Sequence, residues 1–139
     1  MSDQPADRPS NDDQYFEELT KAVFQGGLGW PAIEAKWSGV RRAFSNFSVR
    51  DVSDYLPDDV DRLMSDPQSV RSLQKIEATI ENAAEVLLIA IEHGSFREYL
   101  DSFPTPGAAA ADVASRFRQV GDKAAADFVQ RVTGQPVAG

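Results

Sequence analysis

The sequence of 139 residues contains no cysteine, so neither a disulfide nor a thiolate metal site can form. It contains one histidine, His93. A His/Cys zinc site is thereby excluded, and a Ser-His-Asp or Cys-His triad is not expected. No apolar run approaches the roughly 18 residues that a membrane-spanning helix needs, and no signal peptide is visible. The expectation is a cytoplasmic protein with no membrane partner and no cofactor. Basic residues are scarce, 14 Lys and Arg against 22 Asp and Glu, giving a net charge of −8. That balance argues against coating nucleic acid, because affinity for phosphate comes from Lys and Arg. A local basic patch on an acidic body stays open. Period-2 alternation is missing as well, which leaves an all-α fold as the expectation.

What is present is a series of helical patterns in a chain of one-domain length. Residues 1–13, MSDQPADRPSNDD, are polar and read as a disordered lead. A helical domain is expected over 14–134 and a short tail over 135–139. The first helix is expected over 14–25, with Tyr15, Phe16, Leu19 and Val23 on one face and Gly26 and Gly27 ending it. Pro31 suits the first turn of the next helix, whose stripe is Ile33, Trp37, Val40 and Phe44. Ser48 and Asp51 form a cap pair for a short helix reaching residue 56, and Pro57 starts another. The longest helix is expected over 69–93, with the stripe Leu73, Ile76, Ile80, Ala83, Leu87 and Ile91, and Gly94 as its stop. Ser95 can cap a short helix with Phe96, Tyr99 and Leu100. PTPGAAAAD reads as a turn or linker, and residues 112–133 as two helices around the turn RFRQVG.

Two stretches can carry chemistry. The hairpin places Gly121 before a helix N-terminus, where backbone N–H groups and the helix dipole favour phosphate. Arg116, Arg118 and Lys123 surround it with positive charge. The other stretch is FQGGLGW, residues 24–30. Its glycines let backbone approach a flat ligand closely, and Trp30 can stack on a base. Each stretch also has a plain structural reading, an ordinary helix–helix turn and a core tryptophan. On spacing alone the plain readings are favoured.

FQGGLGW, followed at the right spacing by RRAFSNF, DVDRLMSDP, VRSLQKIEATIENA and SFREYLDSF, resembles the bacterial type I 3-methyladenine DNA glycosylases. That family typically reads EGFQAGLSW, RRAF-x-x-F, DVERLLADPGIVRN-x-x-KI-x-A-x-x-NA and SF-x-x-YLWSF. The resemblance runs in order from Phe16 to Phe103, and QVGDKAAADFVQ is more weakly similar to the family's FVGPTT-x-YAFMQ. It implies a helix-hairpin-helix glycosylase fold and base-excision repair of alkylated DNA by hydrolysis of the N-glycosidic bond. It also implies base contacts from Trp30, Gln25 and Phe24, and phosphate contacts from Arg118, Gly121, Lys123 and Arg116.

The departures from the family pattern bear on activity. The pocket glutamate of EGFQAGLSW is Ala22 here, which offers neither an acceptor nor a charge. The family's N-terminal block has no counterpart in residues 1–13, and its Cys/His zinc ligands are missing. Asp101 replaces the Trp of LWSF, Ser72 the Asn after VR, and Arg116 the first hairpin glycine. Glu18 lies four residues before Ala22, one turn or about 5.4 Å away. It is a candidate substitute acid, set against the plainer reading of a solvated glutamate. Two functions follow from this balance. One is a glycosylase-family protein with weak or lost catalysis that binds duplex DNA. The other is a non-catalytic scaffold for damage recognition or protein partners.

Overall fold

The structure, a computed structural model, describes residues 8–25 and 30–137, with Trp30 described by its backbone alone. The expected glycine stop at residues 26 and 27 lies outside the described residues. Among the described residues eight α-helices follow one another: α1 (Asp12–Phe24), α2 (Trp30–Ala43), α3 (Val49–Ser53), α4 (Pro57–Ser65), α5 (Leu73–His93), α6 (Phe96–Asp101), α7 (Pro106–Arg116) and α8 (Asp122–Thr133). No strand occurs among the described residues.

The helix starts follow from local chemistry. Ser48, Ser72, Ser95 and Thr105 each turn a side-chain oxygen onto the backbone N–H three residues on, at the starts of α3, α5, α6 and α7. Such a cap satisfies one of the orphan donors of the first turn. At the other end of α5, Gly94 takes φ +97°, a conformation open to glycine without steric cost. PTPGAAAAD is not a linker. Thr105 caps it, Pro106 occupies the first helical position, and the alanine run continues as α7. Proline at that position loses no bond, and alanine has the highest helix propensity.

Packing centres on α5, which touches α1, α3, α4 and α6, while α8 packs on α1 and α7. An aromatic cluster fills the α1–α2 side. Trp37 stacks on Phe47 at 5.3 Å, Phe47 on Phe44 at 5.6 Å, and Phe24 meets Phe44 at 5.7 Å. The chain reaches this arrangement through Ser45, Asn46 and Phe47, all with φ between +55° and +58°. Left-handed backbone costs roughly 1–2 kcal/mol per residue. The stacking of the fully buried Phe44 and Phe47 rings offsets that cost.

The buried face of α5 is rotated from the expected stripe. Ile76 and Ala83 are buried as expected, and they are joined by Thr79, Asn82, Val86 and Ile89. Leu73 and Ile91 are 47% and 81% exposed. Apolar residues occupy more than half of this helix's circumference, so periodicity alone does not select the core side.

Within the stretch expected to be a lead, residues 8, 9, 12 and 13 hold to the body. Pro9 is buried, and Arg8 bonds Tyr15 and Asp101. Asp12 and Asp13 open α1, and each carboxylate also reaches a different helix. Asp12 accepts from the N–H of Phe96 at 2.9 Å, and Asp13 from the N–H of Val49 at 2.9 Å. They thus satisfy the first donors of α6 and α3. On the α6–α7 side, the buried Tyr99 hydroxyl donates to Asp112 at 2.6 Å, and Arg116 lies over the Tyr99 ring.

Two outcomes follow for stability. Asp12→Ala and Asp13→Ala each leave a partly buried N–H without its acceptor, so each should cost about 1–3 kcal/mol in urea unfolding. Burial, reinforced by Asp112, raises the Tyr99 pKa well above its ordinary 10.0. The folded state therefore holds a proton that the unfolded chain releases above pH 10, and stability falls there. Tyr99→Phe should be less stable at pH 7, and its stability curve above pH 10 should be shallower by up to about 1.4 kcal/mol per pH unit.

Candidate nucleic-acid interface

The hairpin between α7 and α8 spans residues 117–121 and is held from α5. Asn82, 2% exposed, accepts from the Arg118 N–H at 2.8 Å and donates to the Arg118 carbonyl at 3.1 Å. One side-chain amide therefore satisfies both backbone groups of the same hairpin residue. Phe117 and Val120 anchor the loop from below, both buried. Between them Gln119 adopts φ +62°. The position that favours glycine is therefore Gln119, not Arg116. Arg116 is the last residue of α7 and is helical. Gly121 precedes α8 in extended backbone, φ −78°, and its conformation demands no glycine.

The hairpin cations divide into two kinds. Arg116 is half-buried, holds Glu85 at 2.6 Å and Glu92 at 3.0 Å, and stacks on Tyr99. It locks α5, α6 and α7 together rather than standing at the turn. Arg118 pairs with Glu81 at 3.0 Å and Lys123 with Asp127 at 3.1 Å, and both cations are largely exposed. Exposed pairs contribute only about 0–1 kcal/mol, so these two cations can exchange a carboxylate for a phosphate at little cost. Asp122, in the first turn of α8, suits the helix dipole and repels an approaching anion. The cationic surface here is thus two residues interleaved with Glu77, Glu81, Asp122 and Asp127, not a continuous stripe.

On the other side, the residues expected at a base pocket differ in their burial. Ala22 is 4% exposed and belongs to the apolar core. Phe24 is fully buried, edge-on to Trp37 at 6.0 Å, and its ring is occupied by the core. Gln25 is half-buried and borders a small groove with Glu18, Lys21 and Arg131. The Trp30 side chain lies outside the described residues. Glu18 is held by Lys21 at 3.0 Å and by Arg131 at 3.0 Å. A larger groove of about 460 Å³ beside it is lined by further paired charges, including Arg8, Glu17 and Arg131. Asp101, at the position of the family's Trp, binds Arg8 at 2.8 Å.

The donor set does not fit zinc. The chain has no cysteine, and its single histidine, His93, packs against the Tyr99 ring. No group of three His, Cys, Asp or Glu residues among the described residues is placed to hold a metal ion.

Residues 4–129 match the family model of methyladenine glycosylases. The chain belongs to that family. Its fold is also that of solved 3-methyladenine DNA glycosylase I structures. One, from Staphylococcus aureus and described as the basis of its 3-methyladenine recognition, has a TM-score of 0.80 at 23% identity, covering 90% of this chain and 78% of that one. A crystal structure of a 3-methyladenine DNA glycosylase I gives 0.76 at 24% identity, with 90% and 80% covered. A solution structure of such an enzyme, described as a novel mode of alkylated base recognition, gives 0.71 at 25%, with 90% and 79% covered.

Within this methyladenine glycosylase family member, the residue that sequence reasoning passed over is Asn82. Its signal was present in the NA pair of VRSLQKIEATIENA. Asn82→Ala should destabilise the chain by about 1–3 kcal/mol and speed amide exchange at residues 118–121, as hydrogen exchange would record. Gln119→Gly should stabilise it by roughly 0.5–1 kcal/mol, the left-handed penalty less the added chain entropy of glycine.

Proposed function

We propose that this chain is a DNA-repair protein that binds alkylated duplex DNA through the α7–α8 hairpin and excises 3-methyladenine weakly or not at all. The observation that carries the DNA half is the Asn82 clamp, which fixes a short loop ahead of a helix N-terminus and leaves Arg118 and Lys123 exposed. A pre-organised loop with backbone donors and exchangeable cations suits a phosphate. The family resemblance supports base contacts from Trp30 and Gln25, within the FQGGLGW stretch.

The catalytic half rests on Ala22. Hydrolysis of the N-glycosidic bond leaves the deoxyribose electron-poor at its anomeric carbon as the base departs, and water completes the substitution. A carboxylate nearby stabilises both that charge and a cationic methylated base. Ala22 supplies none and is enclosed by the core. Glu18 is a poor substitute, because Lys21 and Arg131 already neutralise its charge. What remains is extrusion and stacking of a base that is already a good leaving group, and stacking contributes about 1–3 kcal/mol per base.

A second reading, a protein-interaction scaffold, is favoured by the acids interleaved with the hairpin cations and by the net charge of −8.

Single-turnover release of 3-methyladenine from methylated duplex, with protein in excess, should run near the spontaneous rate. Release matching that of a carboxylate-bearing family member would contradict the reading. Ala22→Glu should lower stability by several kcal/mol, because it buries a charge, and should restore no activity. Arg118→Ala with Lys123→Ala should weaken duplex binding and reduce the slope of log K against log salt by roughly 2. An unchanged slope would favour the scaffold.

A further inference from the structure

Helix α5 carries two apolar faces, and the described residues cover only one. The exposed face bears Leu73, Ala84, Leu88 and Ile91 at helical spacing, bordered by Ile80 and Leu87, which are partly buried against the core. Leu88 is 45% and Ile91 81% exposed. From Ile80 to Ile91 the face runs about 16 Å at 1.5 Å per residue. Beside Ile80 it opens into a groove of about 420 Å³ between the start of α4 and α5, floored by Tyr55, Leu56, Val60 and Ile80. Leu56 at this site is 66% exposed. A helix apolar on most of its circumference is normally enclosed, and a contiguous exposed apolar face marks an interaction surface.

The charge around the groove identifies its occupant. Every charged residue lining it is acidic: Asp61, Glu77 and Glu81. Glu81 pairs with Arg118 at the rim. Asp61 and Glu77 form no ion pair with a described residue. The exposed apolar run also ends near the C-terminus of α5, the negative end of its dipole. A second copy of the chain is a poor match. Isologous pairing across this face would bring the same carboxylates together, between molecules of net charge −8. A straight apolar track with acidic flanks matches a helix that is apolar on one side and basic along its edges.

We propose that the α5 face and the adjoining groove bearing Leu56 dock a basic amphipathic helix of a partner protein. The apolar track supplies the contact area, and Asp61 and Glu77 set the register and exclude acidic partners. This surface uses neither Arg118 nor Lys123 and does not rest on the DNA reading, although Glu77 and Glu81 border the hairpin as well.

The test is fluorescence-anisotropy titration of the full chain with two blocked helical peptides. Both carry leucines at i, i+3, i+4 and i+7. One has lysine on its flanks and the other glutamate. The lysine peptide should bind, and the glutamate peptide should bind at least about tenfold more weakly. Leu56→Ser with Ile91→Ser should weaken the lysine peptide by about tenfold, and so should Asp61→Lys with Glu77→Lys. All four positions are exposed, and circular dichroism checks that the variants keep their helices. Equal binding of both peptides, or indifference to both double variants, would overturn the proposal. Sedimentation showing a dimer that Leu56→Ser with Ile91→Ser dissolves would overturn it in favour of a second copy.

Discussion

The side-chain amide of Asn82 is the contact on which the candidate interface depends. It is buried, and it spends its donor and its acceptor on the two backbone groups of Arg118. A buried amide with both ends satisfied is favourable, while the same group unpaired is costly. The clamp therefore sets where the hairpin stands relative to α5, and with it the start of α8 and the exposed Arg118. Around it α5 acts as a central post, meeting α1, α3, α4 and α6. Asp12 and Asp13 reach from α1 to cap α6 and α3, and Arg116 ties α7 to α5 through two carboxylates. Long-range polar contacts thus position the helices that the apolar core holds together.

The fold of the methyladenine glycosylase family is kept, while several of the residues expected near a base are engaged within the protein. Ala22 and Phe24 fill the core, Asp101 holds Arg8, and Glu18 is shared between Lys21 and Arg131. At all four positions the side chain is packed or paired within the protein. On the proposed reading, such a protein recognises a shape and has little with which to stabilise a developing charge.

Much of the fold was legible because its signals are local. Ser48, Ser95 and Gly94 announced helix ends through capping chemistry, and Ile33, Trp37 and Val40 announced a buried face by spacing alone. The start of α7 was equally local, in Thr105 and Pro106, but an alanine-rich run with Pro and Gly reads as low complexity. The side of α5 that faces the core was not legible, because Leu73, Leu87 and Ile91 compete with Val86 and Ile89 in the same helical period. The roles of Asp12, Asp13 and Asn82 depend on partners 84, 36 and 36 residues away, beyond any local pattern. At the candidate interface, the sequence singled out Arg118 and Lys123, which stand exposed beside the hairpin. It also placed Arg116 there, whose partners Glu85 and Glu92 lie on another helix.

The most direct measurement is an NMR titration of the labelled chain with a duplex carrying methylated adenine. The account predicts amide shifts concentrated at residues 118–124, at the loop clamped by Asn82 and the first turn of α8, larger than those from an unmodified duplex. Shifts absent from that hairpin, or identical for the two duplexes, would contradict it.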